Sequence, residues 1–215
     1  MLEEFSAMNN HTLYINTATA QTTIALFEGS KVLAEQRWKS ELNEAETLQP
    51  AAEALLKDQQ LTPDDIQQLI VCVGPGGFTS SRIGVSAVNA WAFAKQIPVA
   101  QVSVFDLFPK NETVLVSANA NEAWVRFPHK EPKFMNREEF RLFIGEVGEP
   151  RFPFGGIVHE EWKKYLEEFG GTLVKLEEQL PSLEGLEFRQ EIVKPWYYKD
   201  ANITWSEKNS KSIKK

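Results

Sequence analysis

Cysteine is almost absent from this 215-residue chain. Cys72 stands alone, so no internal disulfide can form and stability has to come from a packed core. A single thiol inside an apolar run also suits a reducing compartment, and a cytoplasmic location is expected. Histidine is equally scarce. His11, His129 and His159 lie far apart without acidic partners at ligand spacing, which argues against a histidine-based metal site. No apolar run approaches the roughly 20 residues of a membrane-spanning helix. The opening MLEEFSAMNNHT carries early acids and no apolar signal region. Basic charge is in short supply, too: a net charge of −7 argues against general attraction to nucleic acid. The one basic cluster is the end, SEKNSKSIKK, expected as a disordered tail over 206–215.

What is present is ordinary globular composition, 42% hydrophobic and 25% charged, enough for one large domain or two small ones. Three strand patterns come first: 12–18, 22–28 and 31–39, joined by short turns into an antiparallel meander. The third alternates imperfectly, as an outer strand does. Leu48, Ala51, Ala52, Leu55 and Leu56 then recur at three- and four-residue spacing, predicting a helix near 46–58. Pro50 belongs in a first turn, so Thr47 is the expected cap. In LTPDDIQQL, Thr62, Pro63 and Asp65 form a capping-box start signal. LIVCV (69–73) reads as a buried strand, where Cys72 serves as a small hydrophobe. A long helix from Phe78 and a strand at 98–102 complete a first α/β lobe over 1–109.

The second half is less regular. Paired strands are expected within 113–130, helices at 136–147 and 157–169, and a strand at 172–176, making a smaller lobe over 110–205. The aromatic run Trp196, Tyr197 and Tyr198 is expected to pack against that lobe rather than stack on nucleic acid.

The stretch LIVCVGPGGFTSSRIG joins strand to helix through glycines, an arrangement that can present backbone N–H groups and a helix N-terminus to an anion. Thr79 or Ser80 could cap that helix, and Arg82 would stand near its first turn as a charged fork. The spacing matches neither a P-loop, which needs a lysine, nor the dinucleotide fingerprint, which needs a third glycine where Thr79 stands. A tight structural turn remains the other possibility. The helix is rich in small residues (Gly84, Ser86, Ala87, Ala90, Ala92, Ala94) on more than one face, so a second apolar contact is expected beyond its own sheet.

These residues resemble the TsaB family, the non-catalytic partner proteins of bacterial tRNA threonylcarbamoyladenosine biosynthesis. The resemblance rests on YINTATAQTTIALFEGSKVLAE, ETLQPAAEALL, LTPDDIQQL and above all VGPGGFTSSRIGVSAVNAWA, and covers roughly 12–130. Beyond that, PFGGIVHEEW is similar to a second glycine turn before a helix, and VKPWYYKDANIT to a closing Pro-x-Tyr segment. The resemblance implies an actin/hexokinase/Hsp70-like fold of two related lobes with mixed sheets. It implies a partner of the catalytic subunit TsaD, joined by the ATPase TsaE, with homodimers through the same surface and tRNA met only in the complex. No cofactor is expected on this chain; ATP and magnesium belong to the partner subunits.

The residues that would carry these roles form two groups. Phosphate-type turns comprise Asn16 and Thr17, then Gly74, Pro75, Gly76, Gly77, Phe78, Thr79 and Arg82. The partner surface comprises Leu48, Ala51, Ala52 and Leu55 with Ile83, Gly84, Ala87, Val88 and Trp91. The chain departs from the family pattern in four places. Asn16-Thr17-Ala18 replaces Asp-Thr-Ser, Glu44-Ala45-Glu46 stands where a histidine is usual, and Ala118-Asn119-Ala120 replaces Asp-Ala-Arg. Within the hallmark, Gly77 and Ser80 replace serine and glycine. An amide at 16 lacks the charge that organises metal and phosphate in ATP-handling relatives. Two other classes stay open: an enzyme of the same fold (an ATP-dependent phosphotransferase or glycoprotease-like hydrolase), or a divergent self-associating nucleotide-binding module.

Overall fold

The computed structural model describes residues 10–39, 41, 43–147, 153–168, 172–174 and 176–196. The meander forms as its alternation predicts: β1 (His11–Asn16), β2 (Gln21–Glu28) and β3 (Lys31–Lys39). β1 and β2 pair antiparallel with Asn16 opposite Thr23, and β2 pairs β3 with one register shift between Leu26 and Phe27. Helix α1 (Glu44–Asp58) follows, then a 3-10 turn at Pro63–Asp65, β4 (Ile66–Cys72), α2 (Phe78–Lys95) and β5 (Val99–Val102). The first sheet has order β3-β2-β1-β4-β5, with β4 parallel to both neighbours. β3 is the outer strand, and its mostly exposed side chains, including Lys31, Arg37 and Lys39, discourage edge pairing.

Two start signals behave differently. The capping box at Thr62 forms, the Asp65 carboxylate accepting from both the backbone N–H and the hydroxyl of Thr62 at 2.7 Å. The expected cap at Thr47 does not. The helix begins one turn earlier at Asn43, whose carbonyl accepts the N–H of Glu46 (3.0 Å) and of Thr47 (3.1 Å) and the Thr47 hydroxyl (3.1 Å). Pro50 is thus left inside α1. α2 is likewise capped by Gly77, with no side chain of Thr79 or Ser80 in that role.

The second half holds β6 (Thr113–Ser117), β7 (Glu122–Arg126), β8 (Lys133–Asn136), α3 (Arg137–Val147), β9 (Pro153–Ile157), α4 (Glu160–Glu168) and β10 (Thr172–Leu173), with sheet order β10-β9-β6-β7-β8. The expected glycine turn at PFGGI is a strand instead: Gly155 and Gly156 lie inside β9, in register with Val114 and Leu115. Pro153 opens that strand, where its missing N–H is tolerated. β8 was not legible either, being four residues that run straight into α3.

Alternation along the strands divides the core into layers. Leu13, Ile15, Ile24, Leu26, Leu69 and Val71 meet α1 and α2 on one face of the first sheet. On the other face Tyr14, Phe27, Ile70 and Cys72 share one cluster with Val114 and Val116 of the second sheet. The outer face of the second sheet packs Phe140, Trp162 and Leu166 from its own helices. Each fully buried aliphatic side chain contributes about 1.5–3 kcal/mol, so the layer between the sheets couples the halves strongly. Arg126 adds a polar tie. It is 6% exposed, and its guanidinium donates to the carbonyls of Phe105 and Pro109, both at 2.5 Å, in the connection between the sheets.

Candidate functional site

The two phosphate-type turns meet where β1 and β4 end. Asn16 is buried, and both ends of its amide are used inside the turn. Its Oδ1 accepts from the Ala18 N–H (2.9 Å), and its Nδ2 donates to the Thr19 hydroxyl (3.0 Å). The Thr17 hydroxyl donates to the Ser80 carbonyl at 2.6 Å, pinning the first turn to the start of α2. The Ala18 carbonyl accepts from Gly77 N–H at 3.1 Å, so the turns are hydrogen-bonded to each other. This is a close approach only glycine permits: a Cβ on Gly76 would lie 1.9 Å from the Ala18 carbonyl oxygen. Gly74 and Pro75, joined by a cis peptide bond, are buried. Phe78, Thr79 and Arg82 are exposed on the first turns of α2, with the Arg82 guanidinium 3.8 Å from the Phe78 ring centre.

Around this knot, Thr19 sits between two acceptors. Its hydroxyl lies 2.9 Å from the Gln21 carbonyl and 2.8 Å from Glu178 Oε2, with one proton for both. Burial pushes the Glu178 carboxyl above its ordinary value, while the Thr19 hydrogen bond and Arg37 pull the other way. Burial likewise raises the Tyr14 phenol, and lifts the Cys72 thiol to about 12, so Cys72 is an inert hydrophobe.

Much of these turns is taken up by the chain itself, though residues 76–79 and Arg82 are exposed. The amide of Asn16 is spent on its own loop, the backbone of Ala18 fills the space at Gly76, and Trp196 lies against Gly74. Among the described residues no group of three or more His, Cys, Asp or Glu side chains could hold a metal ion. The spacing left a ligand cradle and a structural turn both open; the hydrogen bonds within and between the turns are ones a structural turn makes.

The predicted partner residues separate into two sets. Leu48, Ala52, Leu55 and Val88 are buried in the helix–sheet core, and Gly84 is buried against Thr17. Ala51, Ile83, Ala87 and Trp91 are half-buried. Between α1 and α2 runs an open groove of about 400 Å³, reaching down to Ile15, with Leu48 and Ala52 on one wall and Ile83, Ala87 and Trp91 on the other. Ala90 and Ala94 extend the second wall and are exposed; the small-residue pattern flagged them, but only the packing of α1 against α2 shows which alanines face outward. Glu44 closes one end, 1% exposed, its Oε1 accepting from the Ser80 hydroxyl at 3.3 Å. A buried acid there was not anticipated, since the sequence marked the position only as a missing histidine.

The family comparisons agree with this architecture. The family model for TsaD, tRNA N6-adenosine threonylcarbamoyltransferase, matches residues 39–115. The tRNA threonylcarbamoyladenosine biosynthesis protein TsaB of Bacillus subtilis is 32% identical over 99 residues, 46% of this chain and 43% of that protein. Over its first half the chain is similar to TsaB. It spans less than half the length of the curated TsaB relative it matches. Among solved structures, an uncharacterised protein similar to the peptidase YeaZ from Pseudomonas aeruginosa superposes with a TM-score of 0.67 at 19% identity, covering 88% of this chain and all of that one. YeaZ from Pseudomonas aeruginosa itself gives 0.50 at 23% identity over 59% of this chain and 65% of that one. The chain therefore shares the fold of these YeaZ-like structures, with mixed sheets in both halves. Among the described residues no helix is long and apolar enough to cross a membrane.

Proposed function

We propose that this chain is a non-catalytic TsaB-like subunit that binds and activates TsaD for threonylcarbamoyl transfer to adenosine in tRNA. The observation that carries this reading is the contrast between its two candidate surfaces. The turns that would handle phosphate are tied up by the chain's own groups, while the α1–α2 groove is apolar and open. The proposal places TsaD on that groove and TsaE in a ternary complex in the cytoplasm. A homodimer would use the same face, and tRNA is reached only through the complex. The small alanines of α2 suit close approach of a partner helix. The division into lobes over 1–109 and 110–205 is part of the same proposal; residues 206–215 lie outside the described ones, as do Tyr197 and Tyr198.

Exposed groove residues make the test clean. Ala90→Arg and Ala94→Glu are expected to leave the folded chain intact and to abolish co-elution with TsaD, a loss of at least about tenfold in affinity. Co-elution of both variants at wild-type levels would remove the groove from the interface. Separate elution of the unmodified proteins would remove the partnership. Gly84 and Val88 are unsuitable probes, because both are packed inside the chain. The enzyme reading has less support: position 16 carries an amide in place of a carboxylate, both ends of which are occupied, and the Glu178 carboxylate near it is engaged with Thr19.

A further inference from the structure

Residues 176–196 contain no helix and no strand, yet they are described throughout and cross the first lobe from one turn to the other. At the start, Glu178 meets Thr19 through its carboxylate (2.8 Å) and Arg37 through its carbonyl (2.8 Å). Gln179 N–H then donates to the Leu107 carbonyl at 2.8 Å. Leu180, Leu183, Leu186 and Phe188 pack on the layer between the sheets. Arg189 and Val99 exchange both backbone hydrogen bonds (2.8 and 3.0 Å), which protects part of the β5 edge. Asn89 and the Val193 backbone exchange two more (2.8 and 3.0 Å). The path ends with Trp196 N–H donating to the Val73 carbonyl at 2.7 Å. Its ring lies 5.0 Å from Trp124 and 6.2 Å from Phe105, centre to centre.

Ordering an irregular segment costs about 1–2 kcal/mol of backbone entropy per residue, so one this long stays in place only by many such contacts. Its two ends do more than pack. Glu178 sets a carboxylate on the first phosphate-type turn, and Trp196 sets its backbone and Cβ against the start of the second, 3.6 and 3.7 Å from where a Gly74 side chain would begin, while its indole is anchored on Trp124 and Phe105. We propose that this strap is the chain's own occupant at the base of the two turns: it covers the first at Thr19 and the start of the second at Gly74, and so keeps nucleotide from seating between them, although residues 76–79 stay exposed. On this reading an intramolecular competitor acts against nucleotide alongside the engaged amide of Asn16. The inference goes beyond the partner role, since TsaD could use the α1–α2 groove whatever the strap does.

Hydrogen exchange on the full chain, with and without Mg-ATP, tests it. Wild-type protein should show slow exchange at the Ala18 and Gly77 amides and no change with Mg-ATP. Glu178→Ala should speed exchange at Ala18, and Trp196→Ala, by removing the ring that anchors residue 196 on Trp124 and Phe105, should speed it at Gly77, each at least tenfold, with the amides of α3 unchanged. Glu178→Gln and Trp196→Phe, which keep an acceptor and a ring, should restore slow exchange; they also serve where an alanine variant fails to fold. Unchanged exchange at both turns in the alanine variants would overturn the proposal. So would Mg-ATP protection of residues 74–79 in the wild type while Gln179 and Trp196 stay protected. Neither result bears on co-elution with TsaD, so the two proposals fail separately.

Discussion

Gly84 has no room for a side chain. A Cβ there would stand 2.3 Å from the Thr17 hydroxyl, which is itself committed to the Ser80 carbonyl. Gly84→Ala should therefore lower stability by about 1–3 kcal/mol, as overpacking does, despite alanine's better helix propensity. A urea midpoint at or above wild type would show that Thr17 can step aside. Glu178 makes a second residue-scale case, with a sign that can be worked out. Burial raises its folded pKa above the ordinary 4.5, so the folded state holds the proton more tightly than the unfolded chain. Its favourable contribution is complete below about 4.5 and is lost as pH rises through the raised value. Arg37 and the Thr19 hydroxyl moderate this, and Tyr14 stays neutral. Glu178→Gln cannot ionise, so it should be more stable than wild type at pH 7, with the gap narrowing towards pH 4. Urea midpoints across that range give the answer, and a gap that widens on acidification would contradict it.

Among the elements, α1 shows most clearly how a local signal can be overruled. Proline in a helix interior removes one hydrogen bond and crowds the preceding turn, which is why a start near Thr47 was expected. The helix starts at Asn43 because burial of Glu44 and its bond from Ser80 fix the first turn against α2. Pro50 then has no N–H for the Glu46 carbonyl. Pro50→Ala should raise stability by about 1–3 kcal/mol, read from urea unfolding, because residue 50 is exposed and nothing packed is disturbed. Equal stability would mean that α1 is bent there in a way alanine does not relax. The groove belongs to the same scale. Periodicity put Leu48, Ala52 and Val88 on apolar faces but could not say which face met the chain's own sheet, and all three turned out to be core.

At the scale of the whole molecule, the two sheets share a core and a clamp. Val114 and Val116 join the cluster built on Tyr14, Phe105 and Cys72, and Arg126 reaches the connection from β7. Arg126→Ala strips charge-assisted hydrogen bonds from buried carbonyls and should cost about 2–3 kcal/mol. Arg126→Lys should recover only part of this, since an ammonium cannot fork between Phe105 and Pro109. The measurement is urea unfolding followed by both circular dichroism and tryptophan fluorescence. Full recovery in the lysine variant would show that charge alone matters.

The sequence by itself determined the strand and helix order of the first half, the outer position of β3, the burial of Cys72 and the capping box at Thr62. Those features rest on periods of two and 3.6 residues and on side chains bonding their immediate neighbours, so they are local. The family pattern in VGPGGFTSSRIG was legible for the same reason, being a contiguous run. Tertiary structure decided what the small and irregular residues mean. Gly155 and Gly156 read as a turn but pair inside a sheet, Gly84 read as a partner surface but packs on Thr17, and residues 176–196 read as little at all. A glycine or an unpatterned loop carries no periodic signal of its own; its role comes from whatever the rest of the chain brings against it.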